Sequence, residues 1–418
     1  MNIKTEIIDY GMNGEGVAKI NGKICLLSGG LMGESVQAKI ITDHSNYSVG
    51  KIAKILTASK SRVNPPCPYF TECGGCALQH MNYEEQLNFK QMLVAKTLKK
   101  VARIETEVAC CVASAHQFNQ RNKASFNFNA NGAGFYAKNS KFVVNIENCL
   151  LVNSAINQIY ALFKQTVNTK SGKIKNLVVR FINNTALIGV VATEKIDLST
   201  FSTSLINNGV DFGLYLIINT RKDSVVLSGK TIHLAGKKII NIENFGIKYA
   251  VDLLAFHQTN EDIQNKIYSK VLSHISANSV VLNGFSGAGL LSAIIATKAK
   301  QVFGIEIEKS AHLSAEKLKN DNKITNLTNF LGDFNQKLTN LLPKCDTIIL
   351  DPAKKGCGKK VMQQINGVKN LIYISCNPIA LAKDLREIIE DYTIEEITPF
   401  DMFPNTSSVE TFVKLTKK

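Results

Sequence analysis

The sequence of 418 residues lacks the long apolar runs, internal repeats and low-complexity tracts of membrane, fibrous or disordered proteins. No apolar stretch approaches the roughly 18 residues that a membrane-spanning helix needs, and the longest, such as 186–193, have the length of a strand. The N-terminal residues contain acidic side chains and no apolar core, so we expect no secretory signal and a cytoplasmic protein. Apolar residues make up 45% and charged residues 20%, a globular composition.

Cysteine is also scarce. The chain has ten, which are too few for a disulfide scaffold at this length. Three of the thiols nevertheless lie close together in sequence, at Cys67, Cys73 and Cys76, and two glycines between the last two allow the backbone to curl. We expect these thiols to converge on one metal centre, with the distant Cys149 as the fourth ligand. Four thiolates suit either structural zinc or an iron–sulfur cluster, and the spacing leaves both open. Unconnected free cysteines are the alternative.

Acidic side chains are outnumbered by basic ones, 34 to 49, for a net charge of +15. The excess is uneven: residues 1–255 contain 29 basic and 17 acidic side chains, and residues 256–418 contain 20 and 17. We therefore expect a polyanionic partner, held mainly by the first three-fifths of the chain. A proteome that is generally rich in lysine would explain the charge equally simply.

The first two of three predicted segments are rich in β-structure. Residues 1–60 read as about five short strands separated by glycine turns, including an Asn21-Gly22 hairpin turn, and predict a small OB-like barrel of a kind that often binds nucleic acid. Residues 61–255 begin with the cysteine-rich loop and an amphipathic helix at 83–101. The rest of this segment alternates β-like stretches with one helix near 154–166, which predicts a mostly β domain.

Residues 256–418 predict a parallel, doubly wound α/β sheet, because four short apolar runs are each followed by a helical pattern. One run leads into a glycine turn that contains Gly287, where nucleotides dock in such sheets. Glu306 closes the next run, where an acid can accept hydrogen bonds from both ribose hydroxyls. The pair predicts an adenosine-containing ligand without distinguishing a dinucleotide from S-adenosylmethionine.

Two further motifs end neighbouring strands of the same predicted sheet. Asp351-Pro352 follows one strand and Cys376 follows the next, so an acid and a thiol should face the crevice beside the glycine turn. A single cysteine at a strand end is more often a packing residue. Its place over the cofactor crevice favours a catalytic role instead.

Together these motifs resemble the S-adenosylmethionine-dependent RNA uracil-5-methyltransferases, in family order and over essentially the whole chain. More narrowly, the sequence is similar to the ribosomal-RNA branch, which has an N-terminal TRAM barrel and a [4Fe-4S] cluster. The matching motifs are Phe256-His257-Gln258-Thr259-Asn260, Asn283 to Gly289, Asp351-Pro352, Cys376-Asn377-Pro378, Asp401 to Glu410 and the four cysteines Cys67, Cys73, Cys76 and Cys149.

The resemblance implies a Rossmann-like methyltransferase domain at 256–418, a TRAM barrel at 1–60 and a central domain at 61–255 that carries the cluster and binds RNA. It makes Cys376 the nucleophile and Glu410 the base, and it favours [4Fe-4S] over zinc. The residues it places around S-adenosylmethionine are Gln258, Phe285, Gly287, Glu306, Asp333 and Asp351.

This chemistry explains the residue types. C5 of uracil is a poor nucleophile, but thiolate addition at C6 makes an enolate whose C5 can attack a methyl group. A base must then remove the C5 proton so that the thiol can leave. The target base must be flipped out or unpaired, since stacking hides C5 and C6. Arg121 and Lys123 are candidates for RNA phosphate contacts, with solvated surface charges as the alternative.

The sequence departs from the family pattern at several positions. Asn283 stands where an acid is usual, Ala353-Lys354 where Pro-Arg is usual, Asn405 and Ser408 where histidines are usual, and His257 where a second aromatic is usual. These changes bear on rate and base placement, but none removes a bond-forming residue. They motivate a rival hypothesis, a noncatalytic RNA-binding or assembly protein. A dinucleotide oxidoreductase would not explain Cys376-Asn-Pro or the barrel.

The expected substrate is a uridine of 23S ribosomal RNA, with the transfer-RNA T-loop as the runner-up. Enzymes of this fold class that act on transfer RNA can lack the barrel and the cluster, whereas this chain is expected to have both. Its excess positive charge lies away from the active-site segment, which suits a large folded RNA held at a distance. We expect no membrane association and a monomer.

Overall fold

A computed structural model describes residues 3–418, and its first unit is the predicted barrel. Five strands close on themselves in the order β1-β2-β3-β5-β4. Both residues of the turn between the second and third strands, Asn21 and Gly22, have positive φ angles of 50° and 79°, as a tight hairpin turn requires. The strands are β1 (Ile3–Tyr10), β2 (Gly16–Ile20), β3 (Lys23–Ser28), β4 (Ser35–Asp43) and β5 (Tyr47–Thr57).

The amphipathic helix that follows the cysteine loop is α1 (Tyr83–Thr97), which continues as one π-helical turn, Leu98–Ala102. The Asn82 side chain accepts a hydrogen bond from the Glu85 backbone N–H and so caps its first turn. Val94 and Leu98 are fully buried in the same apolar core as the C-terminal sheet. Helix α1 therefore packs against the last segment of the chain, although the two are far apart in sequence.

The central unit is a seven-stranded sheet in the order β12-β11-β10-β9-β6-β7-β8. Two helices cover one face, and a separate hairpin, β13-β14, packs on the other, so β10 is buried along its whole length. A 3-10 turn, Thr169–Ser171, precedes β9. The elements are β6 (Lys123–Asn129), β7 (Gly132–Tyr136), β8 (Val143–Asn145), α2 (Ser154–Thr166), β9 (Ile174–Ile182), β10 (Thr185–Ala192), α3 (Ser199–Asn207), β11 (Asp211–Ile218), β12 (Lys230–Gly236), β13 (Ile240–Asn244) and β14 (Ile247–Val251).

The last unit is a doubly wound sheet in the order β17-β16-β15-β18-β19-β21-β20. Its first five strands are parallel, and the last two run antiparallel to their neighbours. A 3-10 turn, Leu342–Lys344, follows α7. The elements are α4 (Glu261–Ser273), β15 (Val280–Gly284), α5 (Leu290–Ala296), β16 (Gln301–Glu306), α6 (Lys309–Asp321), β17 (Leu327–Leu331), α7 (Phe334–Leu341), β18 (Thr347–Leu350), α8 (Lys359–Ile365), β19 (Asn370–Ser375), α9 (Pro378–Arg386), β20 (Tyr392–Phe400) and β21 (Glu410–Lys417).

The strand order fixes where a ligand can bind. From β15 the chain first builds the sheet outward through β16 and β17, and then crosses over to add β18 and β19 on the other side. At such a reversal the connections diverge, which leaves a crevice beyond the carboxyl ends of the central strands. Within residues 3–418, no helix has the length and apolar character needed to cross a membrane.

Candidate active site

A cavity of about 1610 Å³ opens at the carboxyl edge of the C-terminal sheet. All three parts of the chain contribute to its wall, including Glu15 of the barrel, Gly74 of the cysteine loop and Tyr136 of the central sheet. Pockets for single small molecules usually measure about 300–1,000 Å³. The cleft therefore has room for a cofactor and part of a second, larger ligand.

The glycine turn after β15 has an unusual backbone. Phe285, Gly287 and Gly289 have positive φ angles of 61°, 55° and 83°, and a Cβ atom on Gly289 would lie 2.7 Å from the Cβ of Ala315. The Gly287 N–H donates a hydrogen bond of 2.8 Å to Oε2 of Glu306. The turn and the acid of the next strand thus meet at the cleft, as the sequence predicts.

Several buried polar atoms in the cleft wall have no hydrogen-bond partner within residues 3–418. They are Oδ1 of Asn283, Oε1 of Gln264 and Oγ of Ser286. Leaving such atoms unpaired costs free energy, so the wall is suited to a ligand with complementary polar groups. This is the fit expected for S-adenosylmethionine.

The structure brings most of the predicted cofactor residues to this cleft. Gln258, Phe285, Gly287, Glu306 and Asp351 all line it, whereas Asp333 lies outside the lining, at the N-terminal cap of α7.

The predicted nucleophile lies at the same edge of the sheet. Cys376 follows β19, Asp351 follows the adjacent β18, and Glu410 begins β21 on the other side of β19. All three line the cleft. Burial, and then the nearby Glu410 and Asp351 carboxyls, raise the pKa of the Cys376 thiol to about 11, while the ammonium group of Lys354 acts to lower it.

The two carboxyls beside the thiol also have raised pKa values. Glu410 is 5% exposed, and burial followed by the charge of Asp351 raises its pKa well above the usual range. Burial raises the pKa of Asp351 to about 7. Asp351 can therefore take up or release a proton near neutral pH, and Glu410 holds a proton more tightly than an ordinary carboxyl.

The loop that leads to Glu410 is fastened to α1 by a buried ion pair. Asp401, which is fully buried, pairs with the equally buried Lys90 and accepts a 2.8 Å hydrogen bond from the Tyr83 hydroxyl. Lys90 Nζ also donates to the Phe403 carbonyl at 3.0 Å. Sequence reasoning used Asp401 only as part of a motif, and the structure shows what it contacts.

Asn405 makes a second attachment in the same loop. Its backbone N–H donates to Oε1 of Gln86 in α1 at 2.9 Å, and its carbonyl accepts from the backbone N–H groups of Ala77 and Leu78, directly after the cysteine loop. The residue is 1% exposed and has a φ of 65°, a conformation that asparagine tolerates better than most residues. The side chain, at the position where the family resemblance gives a histidine, accepts a hydrogen bond from Gln86 Nε2 at 3.2 Å and donates one to the Gln117 carbonyl at 2.9 Å, so it also helps to hold the loop.

The four predicted metal ligands line a separate cavity of about 320 Å³, namely Cys67, Cys73, Cys76 and Cys149. The Gln79 side-chain amide donates to the sulfur of Cys76 at 3.1 Å. However, no group of three or more His, Cys, Asp or Glu side chains in the described residues is placed to hold a metal ion. The structure gathers the thiols around one cavity, but it does not show a metal centre.

The two candidate RNA-binding residues lie in different surroundings. Arg121 lines both the cleft and the cysteine cavity, and its Nε has no hydrogen-bond partner among residues 3–418. Lys123 lines only the cysteine cavity, where burial, and then the neighbouring Arg180, lower its pKa to about 8. Arg121 is therefore the better placed of the two for a ligand in the cleft.

Phe256 is a residue whose role sequence reasoning missed. Its side chain is 82% exposed and lines the cleft. The adjacent His257 is buried instead, with its Nε2 at 3.3 Å from Oε1 of Glu261. An exposed aromatic ring in a cleft can stack on an unpaired base. The sequence showed an aromatic residue in a motif, but exposure is not readable from it.

Comparison with known proteins places this arrangement in a family. The model of the tRNA (uracil-5-)-methyltransferase family matches residues 334–418, and that of the TRAM domain matches residues 6–53. An uncharacterized RNA methyltransferase of Clostridium tetani is 33% identical over 98% of this chain and 95% of its own length. Another uncharacterized RNA methyltransferase, of Caldanaerobacter subterraneus subsp. tengcongensis, is 33% identical over 97% of this chain and 96% of its own length.

A solved structure shares the fold. The Pyrococcus abyssi tRNA (uracil-54, C5)-methyltransferase in complex with S-adenosyl-L-homocysteine matches with a TM-score of 0.80 and 24% identity, over 99% of both chains. The barrel, the doubly wound sheet with its cleft and the full-length relatives lead to one conclusion. The chain belongs to the S-adenosylmethionine-dependent RNA (uracil-5-)methyltransferases that have an N-terminal TRAM domain.

Proposed function

We propose that this enzyme methylates C5 of a uridine in 23S ribosomal RNA through a covalent bond between Cys376 and C6 of the base. The observation that supports this most directly is the meeting of Cys376, Asp351 and Glu410 beside the glycine turn. A thiol and two carboxyls with raised pKa values supply a nucleophile and proton acceptors at one point.

In the proposed reaction, the Cys376 thiolate adds to C6, and the electron pair of the C5–C6 bond moves to C5 and the O4 enolate. Bound S-adenosylmethionine would supply the methyl group: as C5 forms its bond to the methyl carbon, the sulfonium–methyl bond would break and leave S-adenosylhomocysteine. Glu410 then takes the C5 proton, the C5–C6 double bond forms again, and the C6–S bond breaks to release the thiolate. Lys354, whose charge lowers the pKa of the thiol, stabilises the thiolate at the start and at the end.

The cofactor would be held by residues on both sides of the crevice. Glu306 faces the glycine turn, where an acid can accept hydrogen bonds from ribose hydroxyls. Gln258, Phe285 and Asp351 line the same wall. The unpaired Oε1 of Gln264 provides a further acceptor for the polar end of the ligand.

The target base would enter this cleft from an unpaired or flipped-out position. The exposed ring of Phe256 offers a surface on which a base can stack, and Arg121 offers a cation for a phosphate. The walls that the barrel and central sheet contribute would contact the surrounding RNA.

The excess charge of residues 1–255 favours a large folded RNA, which is why we propose ribosomal RNA. Transfer RNA stays the second candidate, because the archaeal structure with the same fold over 99% of both chains is, by its name, a tRNA (uracil-54, C5)-methyltransferase. The fold alone therefore does not separate the two substrates, because an enzyme named for transfer RNA shares it.

Mapping of 5-methyluridine in RNA from cells that lack the gene decides between these substrates. The proposal expects the loss of a 5-methyluridine from 23S ribosomal RNA, with transfer RNA unchanged, and the return of the signal when the wild-type gene is restored. Loss from the transfer-RNA T-loop with intact ribosomal RNA would overturn the proposal in favour of the second candidate. A restored gene that carries Cys376→Ala controls for indirect effects.

We also propose that Cys67, Cys73, Cys76 and Cys149 hold a [4Fe-4S] cluster. Its support is the shared cavity and the family resemblance, together with the N–H donors that face two of the sulfurs. A single zinc ion is the alternative, with all four sulfurs at about 2.3 Å from one point, and only the family resemblance favours the cluster over it. No step of the reaction requires electrons, so the proposed role is structural.

The prediction for this site concerns metal content. Protein purified without oxygen should contain about four iron and four sulfide per chain and show broad visible absorption. Cys73→Ser should lose both and unfold at a lower temperature, whereas Cys110→Ser, at an exposed thiol outside the cavity, should behave as the wild type. Stoichiometric zinc without iron would refute the cluster.

A further inference from the structure

A strongly basic loop borders the cleft on the side of the methyltransferase sheet. It follows Asp351-Pro352 and reads Lys-Lys-Gly-Cys-Gly-Lys-Lys over 354–360. Its four lysines, Lys354, Lys355, Lys359 and Lys360, are all exposed. We call Lys355, Lys359 and Lys360 the lysine lip. The net charge of residues 256–418 does not reveal this local cluster, because the segment as a whole is close to neutral.

The lip is built on a fixed support. The buried carboxylate of Asp384 accepts hydrogen bonds from the backbone N–H groups of Cys357 at 2.7 Å and Gly358 at 3.0 Å, and from the Tyr373 hydroxyl at 2.6 Å. A Cβ atom on Gly356, whose φ is 78°, would lie 2.6 Å from the same carboxylate. The backbone between the two lysine pairs is therefore held in one conformation.

The lysines stand where local structure disfavours them. Lys359 and Lys360 are the first two residues of α8, whose positive dipole end repels cations, and the Gly358 cap offers no side chain to offset this. Lys359 lies 3.6 Å from a carboxylate oxygen of Glu387. Lys355 and Lys360 form no ion pair with any residue in 3–418. Charges kept against a local preference are expected where a ligand compensates them.

The lip begins directly after a residue of the cleft. Lys354 lines the cleft, and its carbonyl accepts a 2.8 Å hydrogen bond from the side-chain amide of Asn377, the residue after Cys376. An RNA strand whose base reached Cys376 would bring its phosphates close to this side of the cleft. Three exposed ammonium groups, of which only that of Lys359 has a carboxylate neighbour, are complementary to such a backbone.

We propose that Lys355, Lys359 and Lys360 bind phosphates of the RNA strand that flanks the target uridine. RNA as the partner follows from the family, and the flanking position rests on the proposed function. Binding of RNA would then be divided between residues 1–255, which hold the folded body, and the lip, which holds the strand next to the reacting base. Lys354 stays beside the thiol and is not part of this group.

The test replaces the three lysines together, as Lys355→Gln/Lys359→Gln/Lys360→Gln. The matched control is Lys300→Gln/Lys344→Gln/Lys369→Gln, which makes the same change of charge at three exposed lysines near the opposite edge of the same sheet. Affinities for unmodified transcripts of 23S ribosomal RNA and of transfer RNA are measured over a series of salt concentrations. Thermal unfolding of each variant checks its fold.

We expect the lip variant to bind at least about tenfold more weakly to the unmodified transcript that the wild type can methylate. The slope of log K against log salt should fall by about 2, since a single-strand phosphate contact contributes about 0.7. Arginine at the three positions should restore both. The control should bind as the wild type, and methyl transfer at saturating RNA should keep the wild-type rate in both variants.

An unchanged affinity and slope in the lip variant, or an equal loss in the control, would overturn the inference. This outcome is distinguishable from a failure of the proposed function. If the wild type formed 5-methyluridine in neither transcript, the proposed function would fail, whatever the binding data for the lip.

Discussion

At the scale of single residues, the surroundings of Cys376 have opposing effects on the pKa of its thiol. In the proposed reaction the thiol of Cys376 has to ionise before it attacks, yet burial, and then the Glu410 and Asp351 carboxyls, raise its pKa to about 11. Lys354 is the cation that opposes them. The sequence places lysine where the family usually has arginine, which keeps the charge and loses the planar fork of donors. The rate should therefore depend on this one ammonium group.

Replacement of Lys354 by Met should raise the pKa of Cys376 further and lower the thiolate fraction at neutral pH. We expect the single-turnover rate at saturating RNA to fall about tenfold for each unit of added pKa, and the rising part of the pH–rate profile to move to higher pH. Lys354→Arg, which keeps the charge, should stay near the wild type. An unshifted profile in Lys354→Met would contradict the role of the lysine.

Glu410 should cost the protein stability as the pH rises. Its pKa is raised in the folded state, so above its unfolded pKa of about 4.3 the folded protein binds more protons than the unfolded one, and the free energy of unfolding decreases through this window. Glu410→Gln has no proton to lose. Urea unfolding should show the variant to be more stable than the wild type at about pH 8, with a smaller difference at about pH 5. A constant difference would contradict the burial argument.

At the scale of helices and strands, much of the architecture could be predicted. Apolar runs on both faces revealed β15, β16, β18 and β19, and the rule that parallel strands end at one edge brought Asp351 and Cys376 together in advance. The parallel strand β17 was missed, because it lies at the sheet edge and only Leu327 in it is fully buried. The apolar pattern of a strand depends on how much of its two faces is buried, so it is weaker for a strand at the edge of a sheet.

Long-range partners could not be read from the sequence. The amphipathic pattern of α1 predicted a helix without saying that it packs on the C-terminal sheet or that Lys90 meets Asp401 there. A lysine in a helix normally reads as a surface residue. Likewise, Asn405 was noted only as a departure from a histidine, and its attachment to the cysteine loop depends on the tertiary fold.

The buried pair of Lys90 and Asp401 gives the prediction for this scale. Lys90→Met leaves the carboxylate of Asp401 buried without its cation, which should lower the free energy of unfolding by about 3–5 kcal/mol. Lys90→Met/Asp401→Asn removes both charges and keeps an acceptor for the Tyr83 hydroxyl, so it should lose less. Urea denaturation compares the two variants. If the single variant were no less stable than the double one, the pair would not hold the loop as described.

At the scale of the whole molecule, the cleft is a shared structure. Barrel, cysteine loop, central sheet and methyltransferase sheet each contribute to its wall, while Cys376, Asp351 and Glu410, the residues of the proposed reaction, all come from the last of these. This division separates the recognition of a folded RNA from the chemistry on one base. The charge of residues 1–255 and the lysine lip would then act on different parts of the same RNA.

The central claim is that this chain methylates C5 of uracil in RNA by means of Cys376. Mass spectrometry of nucleosides, from RNA incubated with the enzyme and S-adenosylmethionine, tests it most directly. The account predicts 5-methyluridine with the wild type and a loss of at least about a thousandfold with Cys376→Ala, because a bond-forming atom is removed. Absence of 5-methyluridine with the wild type, or its normal formation by Cys376→Ala, would contradict the account.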